Sequence, residues 1–292
     1  MSAAPAASTP AAPAPATFAR ASLAAPGSAP AAASAVAGSA ARIEQGAPSP
    51  RARRYPLPAF AATIERRLLV GYRLDPDVAR TLLPGSLRPH LVDGSAVAGF
   101  CGMRLGSVRP ALARTRLGWR GESAAHRIAV QWDERDAEGR AIVRSGVYVP
   151  IRHSAARFPT VIGGRVFPGV QHRAHFDIAD TPTRSRIAFS APDVQGRIDV
   201  EVTDTWSSTL FATVDDASDF NRDGNVAWSP TRASGAGSPL DCLSLHTDAW
   251  RVTPGRVLDA ESSFFTALPA GSAVLDHALV MHAVPMRWGT TP

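Results

Sequence analysis

The chain has 292 residues, 45% hydrophobic and 19% charged, enough to bury the core of one or two domains. Its formal net charge is +6, and all 31 basic side chains are arginine, because the sequence contains no lysine. That excludes a lysine Schiff base, lysine-held pyridoxal phosphate and a P-loop lysine, since arginine stays protonated and is no amine nucleophile.

Residues 1–54 are dominated by Ala, Pro and Ser, with little bulky apolar surface to bury. They are expected to be a disordered tail, with a single β-rich domain at 55–292. The tail holds Arg20, Arg42, Arg51, Arg53 and Arg54 against Glu44, a balance of +4, so the remainder carries 6 − 4 = +2. The domain's arginines are interspersed with acids and accompany no nucleic-acid motif, so no nucleic-acid partner is expected. No apolar run reaches the roughly 18 residues of a membrane span, and no secretory signal pattern opens the chain; a cytoplasmic protein without membrane partners is expected. Cys101 and Cys242 match no metal or redox spacing and read as buried thiols of a reducing compartment.

Period-two alternation predicts a long first strand over Ala62–Leu74. A short helix over Asp75–Pro84 follows, with Asp75 as cap, Pro76 at the first helical position and Pro84 as stop. Asp93-Gly94 marks a hairpin turn within Leu91–Val97. A second hairpin covers His126–Pro150, with Ile128, Val130 and Trp132 sharing one face and "DAEG" turning the chain. Ser154–Gly164 reads as a short helix or turn limited by Pro159. Strands are expected at His172–Ile178, Arg184–Ser190 and Gly196–Trp206, and a short helix at Val214–Phe220. Leu243–Val252, Val257–Leu268 and Ala273–Trp288 read as closing strands. Many antiparallel strands with few helices imply a sandwich or a closed barrel able to enclose a small ligand.

Two motifs suggest metals and fall short. "DFNRDGN" (Asp219–Asn225) opens like an EF-hand loop, but its twelfth position is Pro230, which supplies no carboxylate. "HRAHFD" offers His172, His175 and Asp177, yet on a regular strand His172 and His175 face opposite sides. No metal and no cofactor is expected. Polar clusters at strand ends, Glu122 with His126 and Arg127, and Arg152 with His153, mark a possible barrel mouth.

"AAHRIAVQWD", "SGVYVPIRHSAARF", "GGRVFPGVQHRAHF" and "ESSFFTALPAGSAVLDHALVMHAVPMRW" together resemble a YqjF-like family of uncharacterised bacterial proteins in the acetoacetate decarboxylase-like superfamily. The resemblance runs from about Tyr55 to Trp288. It implies a mostly β, antiparallel, cone-like barrel around an internal pocket. In true decarboxylases a segment similar to "GGRVFPGVQH" carries the Schiff-base lysine; here Gln171 and His172 stand near that position, so that mechanism is excluded.

Two readings follow. The first is a protein that binds a small, partly apolar carboxylate or carbonyl compound in the pocket. Arg165, Arg152 and Arg157 are candidates for gripping a carboxylate, with Gln171 beside them. The second is a lysine-independent enzyme on a small oxo-acid, with His172 as general acid or base and Glu122 or His126 assisting. An exposed strand edge would allow a homodimer.

Overall fold

The alternation along Ala59–Leu74 (β1) makes that segment the spine of the fold, because its two faces bury against two different cores. The computed structural model describes residues 49–56, 59–113, 118–233 and 238–290; most of the expected tail lies outside the described residues. After β1, Asp75 caps helix α1 (Pro76–Thr81) by accepting from the Asp77 and Val78 amides. β2 (Arg88–Pro89) and β3 (Leu91–Val92) lead through Asp93 and Gly94, both at positive φ, into the long β4 (Ser95–Pro110). The second hairpin is β5 (Trp119–Arg135) and β6 (Ala141–Ser154). Beyond it come α2 (Arg157–Ile162), β7 (His172–Arg173), β8 (His175–Asp180), β9 (Arg184–Ser190) and β10 (Gln195–Val202). The chain closes with α3 (Val214–Asp223), β11 (Val226–Ser229), β12 (Asp241–His246), β13 (Thr253–Ser262), α4 (Ser263–Thr266) and β14 (Ala273–Gly289).

The strands pair in the order β1-β4-β5-β6-β11-β12-β14, and β14 pairs back onto β1, closing a ring. β13, β10, β9 and β8 continue from β14 as a second curved layer. The fold is therefore mostly β, a closed barrel with a flanking sheet. It is mixed rather than purely antiparallel, because β11 and β7 each pair parallel with β6.

Leu68, Val70, Phe100 and Ile128 point outward and share a core with Ile187, Phe189 and Ile198 of the flanking layer. Arg67, Leu69 and Gly71 have the opposite phase. On that face Leu69, Cys101, Leu105, Leu279 and Met281 form the second core. Arg66 of the outward set is buried in an ion-pair network with Glu122 (2.6 Å) and Asp180 (2.5 Å), which ties β8 to the barrel.

Some expected strands end early for local reasons. The Val257–Leu268 strand stops at Ser262, whose hydroxyl accepts from the Phe264 amide and starts α4, so Phe265 stacks on Tyr72 at 4.2 Å. The Gly196–Trp206 strand stops at Val202, where the Thr203 hydroxyl takes the Thr205 amide. The Leu243–Val252 strand stops at His246, where Thr247 takes the Ala249 amide. His172–Ile178 splits at Ala174 into β7 and β8, which pair with different neighbours. No helix among the described residues is long and apolar enough to cross a membrane.

Candidate functional site

The inward phase of β1, β5 and β6 carries arginine as well as apolar side chains. Arg67, Arg127 and Arg152 line a cavity of about 170 Å³, walled by Met103, Leu105, Trp250 and Trp288 among others. Each guanidinium has a neutral partner. Arg67 Nε donates to Cys101 Sγ at 3.3 Å, Arg127 Nη2 to Asn221 Oδ1 at 2.5 Å, and Arg152 Nη1 to Ser229 Oγ at 2.7 Å. Among the described residues none of the three forms an ion pair, although arginines elsewhere do so repeatedly.

The electrostatics record that lack of compensation. Burial, with a smaller contribution from neighbouring Arg67, pushes the Arg127 guanidinium down to about 10. Burial also pushes Arg152 down to about 10, with Asp241 the one group pulling the other way. Asp241 is not free to move closer: its carboxylate already accepts from the Tyr55 hydroxyl and from the Gly169 amide. Both arginines remain cationic at neutral pH in a largely apolar space, and among the described residues neither is ion-paired to a carboxylate.

Gly169 makes room for this arrangement. Its φ is +93°, and a Cβ there would lie 2.7 Å from Arg152 Nη1. Gly169→Ala is expected to displace the guanidinium as well as strain the backbone. Affinity for a carboxylate should fall about tenfold and Tm by several degrees, since such strain costs about 1–3 kcal/mol; titration calorimetry and a thermal melt read the two effects separately.

A second chamber of about 150 Å³ adjoins it and shares Arg127, Val147, Asn221 and Gly224 as wall residues. His90, Asp223 and His277 also line this second chamber.

The residues singled out from the sequence fall in five places. Arg152 and Gln171 line the main cavity. Arg165 and Arg157 are exposed, and Arg165 donates to the Val161 carbonyl at 2.8 Å. His172 is half-exposed and bonds Asp193; it lines an adjoining groove beside Pro230 and Thr231 that shares Val149 and Arg152 with the main cavity. Glu122 is held by Arg66 and Arg104 at 2.6 and 2.5 Å, away from the cavity. His126 is fully buried between the rings of Phe100 (4.8 Å) and Phe264 (4.7 Å), with Nε2 2.7 Å from Ser262 Oγ.

The sequence reading did not assign roles to Arg67, Arg127 or Asn221. The available signal was phase: Arg67 shares its face of β1 with Leu69 and Gly71, and Arg127 shares its face of β5 with Ala125 and Ala129. Asn221 belongs to the EF-hand-like stretch, which folds as the end of α3 and presents its amide oxygen to Arg127. The histidine ligands considered in "HRAHFD" separate as well. His175 and Asp177 are exposed on β8, whereas His172 meets His153 and Asp193, whose potential ligand atoms lie within 4.8 Å of one another. That cluster is occupied by its own hydrogen bonds, Asp193 receiving both rings.

No protein-family model matches the chain, and no curated protein matches it. Solved structures do. The acetoacetate decarboxylase of Legionella pneumophila is similar over 84% of this chain and 91% of its own, at 10% identity and TM-score 0.51, which shows a shared fold. An acetoacetate decarboxylase-like enzyme from Sphingomonas wittichii RW1 is similar over 79% and 89%, at 14% identity and TM-score 0.48. The enduracididine biosynthesis enzyme MppR complexed with pyruvate is similar over 82% and 90%, at 15% identity and TM-score 0.49.

Proposed function

We propose that this acetoacetate decarboxylase-like barrel binds a small, partly apolar carboxylate, or a carbonyl compound bearing one, in its internal cavity. One observation carries the reading: Arg67, Arg127 and Arg152 line one largely apolar cavity, and among the described residues none of them is paired with a carboxylate. Buried charge is costly unless paired, so a site of this composition is completed by an anion. Arg152 and Arg67 offer donors for the carboxylate, and Gln171 adds an amide. The apolar wall suits a short carbon chain. Among families the reading favours is the YqjF-like group, on the four segments quoted from the sequence.

The test is charge discrimination. Titration calorimetry at low salt should give butanoate an affinity at least about thirtyfold above butanamide, its near-isosteric neutral amide, because charge-assisted hydrogen bonds contribute about 1.5–3 kcal/mol each. Equal affinities, or none for either, would remove the anion-binding reading.

A second reading, a lysine-independent enzyme, is favoured by the second chamber, which is lined by His90 and His277 together with Arg127.

A further inference from the structure

The row that crosses the barrel from β14 to β5 has an unusual composition. His277 is directly opposite Gly71, Gly71 opposite Gly99, and Gly99 opposite Arg127. Directly opposed residues of antiparallel strands point to the same face. The row therefore reads imidazole, bare backbone, bare backbone, guanidinium. Both side chains lean inward over the bare positions. A Cβ on Gly71 would fall within 2.3–2.8 Å of the His277 ring, and a Cβ on Gly99 3.1 Å from Arg127 Nε. Neighbouring strands are ~4.8 Å apart, so the two ends are separated by roughly 14 Å of backbone. Two inward-leaning side chains reduce that to a space for a ligand of a few carbons.

His277 is set up for one task. Its side chain is only 3% exposed, and its Nδ1 lies 2.8 Å from Asp276 Oδ2. Asp276, itself 1% exposed, also receives the Ser208 and Thr209 hydroxyls and the Thr209 amide. Burial works against the Asp276 charge, but these hydrogen bonds outweigh it and hold the carboxyl far below its usual range. An ionised Asp276 accepts from Nδ1–H, which leaves the lone pair on Nε2. Nε2 has no hydrogen-bond partner among the described residues, and His277 borders the second chamber. The rings of Trp206 and Phe211, at 5.5 and 5.3 Å, hold the imidazole in place. The other charged or titratable groups in that chamber are Arg127, His90 and Asp223.

We infer that Asp276 and His277 form a proton-transfer site opposite Arg127, acting on the carbon next to the carbonyl of a small 2-oxo acid. The inference rests on the carboxylate-binding reading and extends it. With the carboxylate toward Arg67 and Arg152, the carbonyl oxygen comes to Arg127 and the following carbon to His277. His277 Nε2 takes a proton from that carbon. The C–H electron pair becomes the C=C of an enolate, and the carbonyl pair moves onto oxygen, beside Arg127. Asp276 stabilises the imidazolium. The imidazolium exchanges its proton with water and returns one to the same carbon, regenerating the oxo acid. Every atom and charge balances without a co-reactant.

The test uses the full chain and 2-oxobutanoate in D₂O, followed by proton NMR at carbon 3, with affinity measured in parallel by calorimetry. Exchange well above the buffer rate is expected. His277→Gln should slow it at least about 100-fold while the dissociation constant stays within about threefold. His282→Gln, on the exposed part of β14, should leave it unchanged. Binding without exchange in the unaltered protein overturns the proton-transfer site and leaves the binding reading standing, and so does exchange that persists in a folded His277→Gln protein. Absence of any binding overturns both.

Discussion

Arg152→Met is expected to make the protein more stable and to abolish carboxylate binding. A group selected for stability does not behave in this way, which makes the pair of results diagnostic. The Arg152 guanidinium sits near 10 rather than 12.5, chiefly because burial disfavours its charge. A drop of about 2.5, at about 1.36 kcal/mol per pH unit, corresponds to a cost on the order of 3 kcal/mol of folding free energy. Asp241 returns part of the charge energy from a distance, and Ser229 supplies a hydrogen bond at 2.7 Å. Methionine fills similar volume, keeps the apolar contacts of the stem and strands only the Ser229 hydroxyl, which borders the adjoining groove. Tm should rise by about 3 °C or more, since about 1 kcal/mol moves a domain of this size by about 2–4 °C. Butanoate affinity should fall by about 100-fold or more, the loss of a two-pronged charge-assisted contact. A lower Tm together with unchanged affinity would mean that Arg152 is a structural residue and that the anion site lies elsewhere.

The architecture was legible in the sequence because its signals are local. Alternation marked β1, the β5–β6 hairpin and β14, Asp75 marked the start of α1, and Asp93-Gly94 marked the turn into β4, whose run beyond Val97 was not anticipated because it is buried on both faces and does not alternate. Ring closure between β1 and β14 is not local, since it joins residues about 200 positions apart or more. The site was legible only in part, for the same reason. A charged residue on an inward phase is visible as a type, but whether it is paired depends on strands that meet in space. Glu122 and Arg127 are five residues apart on β5, yet Glu122 meets Arg66 and Arg104, whereas Arg127 meets no carboxylate among the described residues. The conspicuous "GGRVFPGVQH" stretch contributes less through its arginine than through Gly169, which makes space for Arg152, and Gln171, which lines the cavity. The Asp276–His277 pair carried no motif at all. Its meaning depends on two glycines from other strands lying opposite it.

His126 gives the second large effect, and it concerns acid stability rather than binding. The ring is buried between Phe100 and Phe264, its Nδ1 has no partner, and burial, with a smaller contribution from His153, pushes it down to about 3. The folded protein therefore keeps His126 neutral, whereas the unfolded chain protonates it near 6.5. Below that value the unfolded state binds the extra proton, so stability falls with decreasing pH. The loss from this residue begins near 6.5, steepens to about 1.4 kcal/mol per pH unit and ends near 3. Between pH 6.5 and 4.5 most carboxylates remain ionised in both states, so Asp193, Asp199 and Asp276, all held low in the fold, contribute only at the acid end of that range. His90 and His153, also lowered by burial, act in the same direction and persist in a variant of His126 alone. His126→Phe keeps the stacked position, and Ser262 still accepts the Phe264 amide that starts α4. Its Tm should fall less than that of the unaltered protein between pH 7.5 and 4.5, by about 5 °C or more. Parallel curves would mean that His126 is reached by protons in the folded state, and would return it to the list of groups able to act on a ligand.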